Sequence, residues 1–351
     1  MGYFRLWGII PRLYLTVCRF GLLNNGIEIA LSVIIVNFRT PDMARQAAVS
    51  ALADNPGDGM EIIIVDNNSA GGDSTDNSVA FLKDAFKDEA RVRIITSDKN
   101  LGFAGGNNLG LKLAQGRVVL FLNPDTIVKQ GALKKLMETL LSADDIGAVG
   151  GLLTNDAGEP VTSYGYFPTP GSMILTAFLP GRFYGKLRKA LGVVPSVGEM
   201  EPYDVDYICG ADLMVRRDVL DKLNGMDAGF FMYFEETDLC RRIRDSGYRI
   251  LYEPRATIAH LEGGSFGGKL VRRRMMFMQS SVRFFRKNGY SPFFIGLYHT
   301  TTFVSSFIKL GYFWLKYALF PGKREDTARH IAWNGFIFPY YLGIGRKRWE
   351  V

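Results

Sequence analysis

Along most of the chain, short apolar runs alternate with stretches whose apolar positions recur at helical spacing. Leu31 to Phe38 and Glu61 to Val65 are β-branched runs of the first kind, and between them Met43, Ala47, Ala48, Ala51 and Leu52 fall on one face of a helix. That pattern predicts a βαβ unit. Arg91 to Thr96 predicts a third strand, Leu109 to Ala114 a helix, and Val118 to Leu122, apolar throughout, a fourth strand covered on both faces. Ala132 to Leu141 follows as a helix, Gly147 to Leu153 as a strand, and Asn155-Asp156-Ala157-Gly158 as a turn. Further on, Asp206 to Val215 reads as strand and Glu235 to Ser246 as a helix with Leu239 and Ile243 four apart, while Arg249 to Leu251 and Thr257 to His260 extend the sheet. The alternation predicts an α/β fold with a mainly parallel sheet and a ligand beyond the strand C-termini.

Polar groups stand where that rule expects them. Asn37 follows the first strand with Arg39 close behind, Asp66-Asn67-Asn68-Ser69 the second, and Asn123-Pro124-Asp125 the fourth. Before the fourth strand runs Asn100-Leu101-Gly102-Phe103-Ala104-Gly105-Gly106-Asn107-Asn108. A glycine-dense loop lets backbone approach a bulky polar ligand, and an acidic turn at a buried strand end can hold a cation. Together they point to a phosphate-bearing donor with its metal. A dinucleotide fingerprint is excluded, because its glycines belong between the first strand and its helix, where this chain has Asn37-Phe38-Arg39-Thr40-Pro41. Tyr164 to Tyr203, rich in glycine, proline and aromatic residues, reads as a loop covering an acceptor.

The formal charge of +7 over 351 residues matters through its placement: no acid occurs before Glu28, and none between Gly263 and Arg324. In residues 1–30, Arg5, Arg12 and Arg19 recur every seven residues beside Trp7, Ile9, Ile10, Leu13 and Leu15, an amphipathic pattern with Pro11 as a kink. Arg12 breaks the apolar run that a secretory signal needs, so the segment reads as retained. Phe293 to Phe320 has about the length that spans a bilayer, yet Lys309 and Lys316, with Lys323 and Thr302 on the same stripe, predict a helix lying in the interface with its lysines toward headgroups. Upstream, Lys269, Arg272, Arg273, Arg274, Arg283, Arg286 and Lys287 form a basic cluster that would add attraction to an anionic leaflet. Both ends packed as ordinary amphipathic helices is the alternative. A nucleic-acid partner is not expected, since the basic stretches alternate with bulky apolar residues and carry no reading motif. The three cysteines form no metal-ligand pair and no disulfide framework, which suits a reducing compartment.

Taken in order, Ser32-Val33-Ile34-Ile35-Val36-Asn37, Asp66-Asn67-Asn68-Ser69, the Asn100 to Asn108 run, Asn123-Pro124-Asp125, Gly210-Ala211, Phe234-Glu235-Glu236-Thr237-Asp238-Leu239-Cys240 and His260 resemble a family 2 inverting glycosyltransferase of the bacterial rhamnosyltransferase branch. The match runs from about Leu31 to Phe266. It implies a GT-A type nucleotide-diphospho-sugar transferase fold, with a nucleotide-sugar-binding half over 31–130 and an acceptor and catalytic half over 131–266. Residues 1–30 and 267–351 would be the basic, membrane-associated ends. By the resemblance, Asp66 hydrogen-bonds a pyrimidine, with Asn37, Arg39, Asn67, Asn100, Gly102, Phe103, Gly105, Gly106, Asn107, Asn108 and Asn123 around the donor. Asp125 takes the last place of the D-x-D element and, with His260, holds Mg²⁺ or Mn²⁺. Glu236 stands where the family usually has a catalytic aspartate, with Glu235 beside it, while Tyr233 and Asp212 are candidates for acceptor contact.

Each motif has an ordinary alternative. Asp66 can build an Asx turn, Asn123-Pro124-Asp125 a type I turn, and Glu235, Glu236 and Asp238 can simply complement a helix N-terminus. The expected activity is transfer of L-rhamnose from dTDP-rhamnose, or another sugar from a UDP donor, to a polyprenyl-diphosphate-linked saccharide, by a protein peripheral at the inner face of the plasma membrane. The other class is a catalytically silent glycan-binding or scaffold protein on the same fold.

Overall fold

In the computed structural model the described residues are 29–55, 59–70, 77–178, 200–261 and 270–343. The basic segment expected over 1–30 falls almost wholly outside them, as does Lys269. The first half builds β1 (Leu31–Asn37), α1 (Pro41–Ala53), β2 (Met60–Asp66), α2 (Ser78–Ala85), β3 (Val92–Thr96), α3 (Gly102–Leu111) and β4 (Val118–Leu122). β1 lies between β2 and β4, parallel to both, and β3 joins β2 in parallel. Every residue of β1, β2 and β4 is buried, as strands covered by helices on both faces must be. Alternation sends Val33, Ile35, Ile64 and Leu120 into one core with the alanines of α1, and Ile34, Ile63, Val65 and Phe121 into another on the opposite face.

The chain continues through β5 (Thr126–Val128), α4 (Ala132–Leu140), β6 (Ile146–Thr154), β7 (Tyr164–Gly165), α5 (Pro170–Phe178), β8 (Tyr203–Asp204), β9 (Tyr207–Ile208), β10 (Asp212–Arg216), α6 (Arg217–Leu223), α7 (Glu235–Asp245) and β11 (Arg249–His260). The main sheet runs β3-β2-β1-β4-β10-β6-β11-β5, with β8 on β11, and β7 pairs β9 separately. β10 is antiparallel to both β4 and β6. The single strand expected over Asp206 to Val215 is thus two, interrupted at Cys209-Gly210-Ala211. The two strands expected near the end are one, β11, whose pairing with β6 shifts between Glu253 and Thr257. Pro254, which has no N–H to give the ladder, lies in that bulge.

The glycine-dense run is not a loop. α3 begins at Gly102, seven residues before the helix read from the sequence, and two of its glycines, Gly106 and Gly110, face the sheet. A Cβ on Gly106 would stand 2.8 Å from Val36 Cγ1, and one on Gly110 2.6 Å from Ile34 Cγ2. Close helix–sheet approach outweighs the poor helix propensity of glycine here.

A helical layer follows: α8 (Leu270–Lys287), α9 (Pro292–Leu319), α10 (Arg324–Asn334) and α11 (Ile337–Tyr341). Its core joins Phe230 and Phe234 of the preceding half to Met278, Phe284, Phe285, Tyr298 and Phe336. On α9 the expected orientation is reversed. Thr302, Ser305 and Ser306 are buried, whereas Phe307, Ile308, Tyr312, Trp314, Leu315 and Leu319 are between 55% and 62% exposed. Lys309 turns to the body of the protein and donates to the Ala177 carbonyl of α5 (2.7 Å), and Lys316 lies over the Phe313 ring. The apolar face, not the lysine stripe, therefore looks outward. No helix among the described residues is long and apolar enough to cross a membrane.

Candidate active site

At the ends of β1 and β2, parallel register places Asn37 beside Asp66. Asn37 Nδ2 donates to Asp66 Oδ2 (2.8 Å) and Ser69 Oγ (3.1 Å), Ser69 N donates to Asp66 Oδ1 (3.1 Å), and Thr40 N donates to Asn37 Oδ1 (3.1 Å). Arg39, in the left-handed region at φ 61, donates from Nε to the Ser69 carbonyl (3.0 Å). Asn37 and Asp66 are thus buried turn-builders that do not line the cavity described below. Asn67 reaches further. Its Nδ2 donates to Asn100 Oδ1 (3.1 Å) and the Gly102 carbonyl (2.9 Å), and its Oδ1 accepts from Leu101 N (2.9 Å), which locks the start of α3 to the sheet.

Past β4, the antiparallel pairing of His260 with Thr126 brings a residue from the far end of the sheet to Asp125. His260 Nε2 lies 3.4 Å from Asp125 Oδ1, and Asn123 Nδ2 lies 3.5 Å from the same ring nitrogen. No group of three or more His, Cys, Asp or Glu side chains gathers here among the described residues. A carboxylate and an imidazole still suit a hard cation whose remaining ligands are phosphate oxygens and water. Asp212 is fully buried behind this edge and does not line the cavity, so it is withdrawn as an acceptor contact. Its Oδ2 accepts from Gly151 N (2.6 Å), its Oδ1 has no partner among the described residues, and burial pushes its carboxyl up to about 7.

Across from this pair, α7 begins after two bulky residues held at positive φ, Tyr233 at 70 and Phe234 at 69. Such backbone is costly for aromatic side chains and is kept only where packing over-determines it. Phe234 is buried in the helical core, and Ser280 Oγ holds the Met232 carbonyl (2.7 Å). The strained turn aims Glu235 and Glu236 at the cavity. Glu235 is buried with Oε2 lacking a partner among the described residues, and burial plus the neighbouring Glu236 carboxylate raises its pKa well above the usual range. Burial lifts Glu236 to about 7. Gly210 packs beside it, its Cβ position 3.5 Å from Glu236 Cβ.

These groups share one cavity of about 440 Å³. Of the residues read from the sequence, Asn67, Asn100, Gly102, Phe103, Asn123, Asp125, Tyr233, Glu235, Glu236 and His260 line it. Gly105, Gly106, Asn107 and Asn108 do not: the glycines pack α3, Asn107 Nδ2 donates to the Phe103 carbonyl (3.1 Å), and Asn108 pairs both ways with the Met226 backbone (2.7 and 2.9 Å). Arg272, Arg273 and Met276 complete the wall from α8. The sequence assigned those two arginines to a membrane-facing cluster, and the cluster in fact divides. Arg273 Nε donates to Tyr233 Oη (3.1 Å), and half-buried Arg274 lies over Phe277, Trp333 and Phe336. Their one sequence signal was adjacency to Arg274 at helical spacing, which turns neighbours to different faces.

The model of the family described as Glycosyl transferase family 2 matches residues 32–223. The low-salt glycan biosynthesis hexosyltransferase Agl10 of Haloferax volcanii is 26% identical over 228 residues, 63% of each chain, so the match spans less than two thirds of that relative. The N-acetylglucosaminyl-diphospho-decaprenol L-rhamnosyltransferase of Mycobacterium tuberculosis is 25% identical over 238 residues, 63% of this chain and 72% of that one. The rhamnosyltransferase WbbL of Escherichia coli is 28% identical over 181 residues, 49% and 66% of the two chains. Among solved structures, the mannosyltransferase PcManGT from Pyrobaculum calidifontis, in complex with GDP-Man and Mn²⁺, superposes with a TM-score of 0.56 at 14% identity, covering 90% of this chain and 86% of that one. That likeness is one of GT-A fold.

Proposed function

We propose, on the premise that the chain belongs to glycosyl transferase family 2, that it moves L-rhamnose from dTDP-rhamnose to a polyprenyl-diphosphate-linked saccharide, with inversion at the anomeric carbon. Family and fold support a glycosyltransferase; the donor, the lipid-linked acceptor and a place at the inner face of the plasma membrane are carried from the relatives' names and from the apolar helical layer. A UDP-sugar is the other donor of the same chemical class. One observation carries the reading: a paired carboxylate, Glu235 and Glu236, shares a cavity with the Asp125–His260 pair and with two arginines.

Inverting transfer needs a base on the acceptor side and charge stabilisation on the leaving side. Glu236, raised to about 7 by burial, is basic enough to take the acceptor hydroxyl proton near neutral pH. As the hydroxyl oxygen bonds to the anomeric carbon, the bond to the donor diphosphate breaks on the opposite face, and the proton remains on Glu236. Glu235, buried beside it, keeps the local field unfavourable to a second ionised carboxylate, which sustains the basicity of whichever oxygen is charged. On the leaving side Asp125 and His260 would hold Mg²⁺ or Mn²⁺, which when bound neutralises charge developing on the diphosphate. Arg272 and Arg273 add permanent positive charge to the same wall. Tyr233, fixed by Arg273, offers a ring edge for the acceptor sugar.

Glutamate in place of the family's usual aspartate at position 236 favours a second reading, a silent glycan-binding protein on this fold. One experiment separates them. Nucleotide release and product mass are measured with dTDP-rhamnose and with UDP-sugars, using a short-chain polyprenyl-diphosphate acceptor, for the wild type and Asp125→Ala. Release is expected to fall on the order of 10²-fold in the variant, the scale of several kcal/mol of leaving-group stabilisation. Equal background in both would end the enzyme reading.

A further inference from the structure

A second cavity, of about 870 Å³, opens outside the active site between α8 and the α9–α11 pair. Arg283, Arg286 and Lys287 reach it from α8, and His299 of α9 and Tyr340 of α11 close the other side. Two of the cations are already engaged. Arg283 Nη2 lies 3.1 Å from Asp227, and Lys287 Nζ bridges Asp227 (2.8 Å) and Asp238 (2.7 Å). Arg286 is exposed and has no acidic partner among the described residues. Burial alone would raise the Asp227 carboxyl, but hydrogen bonds from Lys287, the Gly229 N–H and Arg283 hold it down to about 2, so the floor of the cavity is a charge-balanced set of ion pairs with one uncommitted guanidinium, that of Arg286, above it.

What adjoins it is apolar. His299 stacks on Tyr340 and meets Tyr341 edge-on, and Tyr341 meets Phe303, which stacks on the exposed Phe307. From there the outward face of α9 continues through Ile308, Tyr312, Trp314, Leu315 and Leu319, while the small hydroxyl residues Thr302, Ser305 and Ser306 are turned inward. A helix of a water-facing protein would be oriented the other way round. The inward Ser305 hydroxyl donates to the Thr302 carbonyl (3.2 Å) in the preceding turn, so it needs no water. An exposed aromatic face this long signals a covering surface. The absence of acids from Gly263 to Arg324 says what kind, because a face with no negative charge of its own is complementary to an anionic one.

We propose that the cavity under Arg286 binds the phosphate of an anionic phospholipid headgroup, while the outward aromatic face of α9 lies in the adjoining acyl boundary. This inference rests on the membrane-side reading of the proposed function and deepens it by naming the surface and the lipid chemistry. The arrangement joins the two components of interfacial binding, apolar area and charge, at one edge. Asp227, which pairs with Arg283 and Lys287 on the cavity floor, begins the turn that ends in Glu235 and Glu236, so the headgroup site and the catalytic carboxylates share one short segment of chain.

The test is co-sedimentation of the full chain with phosphatidylcholine vesicles and with phosphatidylcholine–phosphatidylglycerol vesicles, comparing wild type, Arg286→Glu, a Phe307→Ser/Ile308→Ser pair, and Lys134→Glu on exposed α4. Wild type should bind the anionic vesicles, Arg286→Glu roughly 20-fold more weakly through reversal of one interfacial charge. The serine pair should lose both vesicle types, and Lys134→Glu should match wild type. Equal binding by wild type and Arg286→Glu overturns the headgroup site while leaving membrane attachment in place. Failure of wild type to bind any vesicle, with elution as a dimer that the serine pair abolishes, assigns the face to a second copy and overturns the inference. Inorganic phosphate at constant ionic strength should compete with anionic vesicles for wild type and not for Arg286→Glu; no competition with wild type would overturn a phosphate-binding cavity. None of these readouts depends on sugar transfer, so a failed donor reading and a failed headgroup site are told apart.

Discussion

Strands β1, β2 and β4 and the later turns of helix α9 bury opposite kinds of residue. The strands are largely apolar and inaccessible, and polar groups collect at their ends. The helix hides Thr302, Ser305 and Ser306 and shows Phe307, Trp314 and Leu315. Both satisfy the same rule, that apolar surface leaves water, but their surroundings differ. The sheet half makes its own apolar interior. The apolar face of α9 has no such cover among the described residues.

The widest gap between the two should lie in chemistry. Glu236→Gln is expected to lower turnover on the order of 10²–10⁴-fold, with vesicle binding unchanged; weakened vesicle binding would break the division of labour. Because burial raises Glu236 to about 7, the wild-type rate should climb as pH rises through that value and the protonated carboxyl gives up its proton. The same shift has a stability sign. The folded state retains a proton that an unfolded glutamate, at about 4.5, has released, so stability should fall from about pH 4.5 to 7 and then level, a fall that Glu236→Gln reduces in pH-dependent melting.

Packing gives the next contrast. Ile34→Ala on β1, a fully buried position, should cost about 3–4 kcal/mol in denaturant unfolding. Phe307→Ser on α9 should stay within about 0.5 kcal/mol in detergent-free buffer, as a surface site does. A large loss at Phe307 would mean that α9 is covered by protein in the isolated chain.

The smallest effect tests what the glycine run is for. Gly106→Ala should destabilise by roughly 1–3 kcal/mol, since its Cβ meets Val36 at 2.8 Å, and leave the donor KM unchanged. A raised KM without lost stability would return the run to a ligand-cradling role.

The sheet was legible because strands buried on both faces carry long apolar runs, interrupted in β1 and β2 only by Ser32 and Glu61 before their polar ends, and Val118 to Leu122 was placed to the residue. The start of α3 was not, because glycine is equally a mark of loops and of tight helix–sheet contact, and only the neighbours Val36 and Ile34 decide between them. Asp125 and Glu236 stood out in an ordered set of motifs, and the fold brings both to the wall of one cavity. Asp66 and Asp212 carried the same kind of signal, yet backbone N–H groups and Asn37 take them into the interior. For Arg272 and Arg273 a basic run gave charge without direction. On a helix three successive arginines point three ways, and two of these line the cavity.

The strained turn before α7 carries a consequence for how this chain could be taken apart. Phe230 and Phe234 are anchored among the aromatic residues of the helical layer, and Asp227 is clamped by Arg283 and Lys287, so the stretch 227–234 answers to α8 although it precedes α7 in the chain. Chimaeras that trade C-terminal layers between relatives would have to carry this stretch with the incoming layer. A seam placed at residue 266 would leave the carboxylates hung on someone else's scaffold.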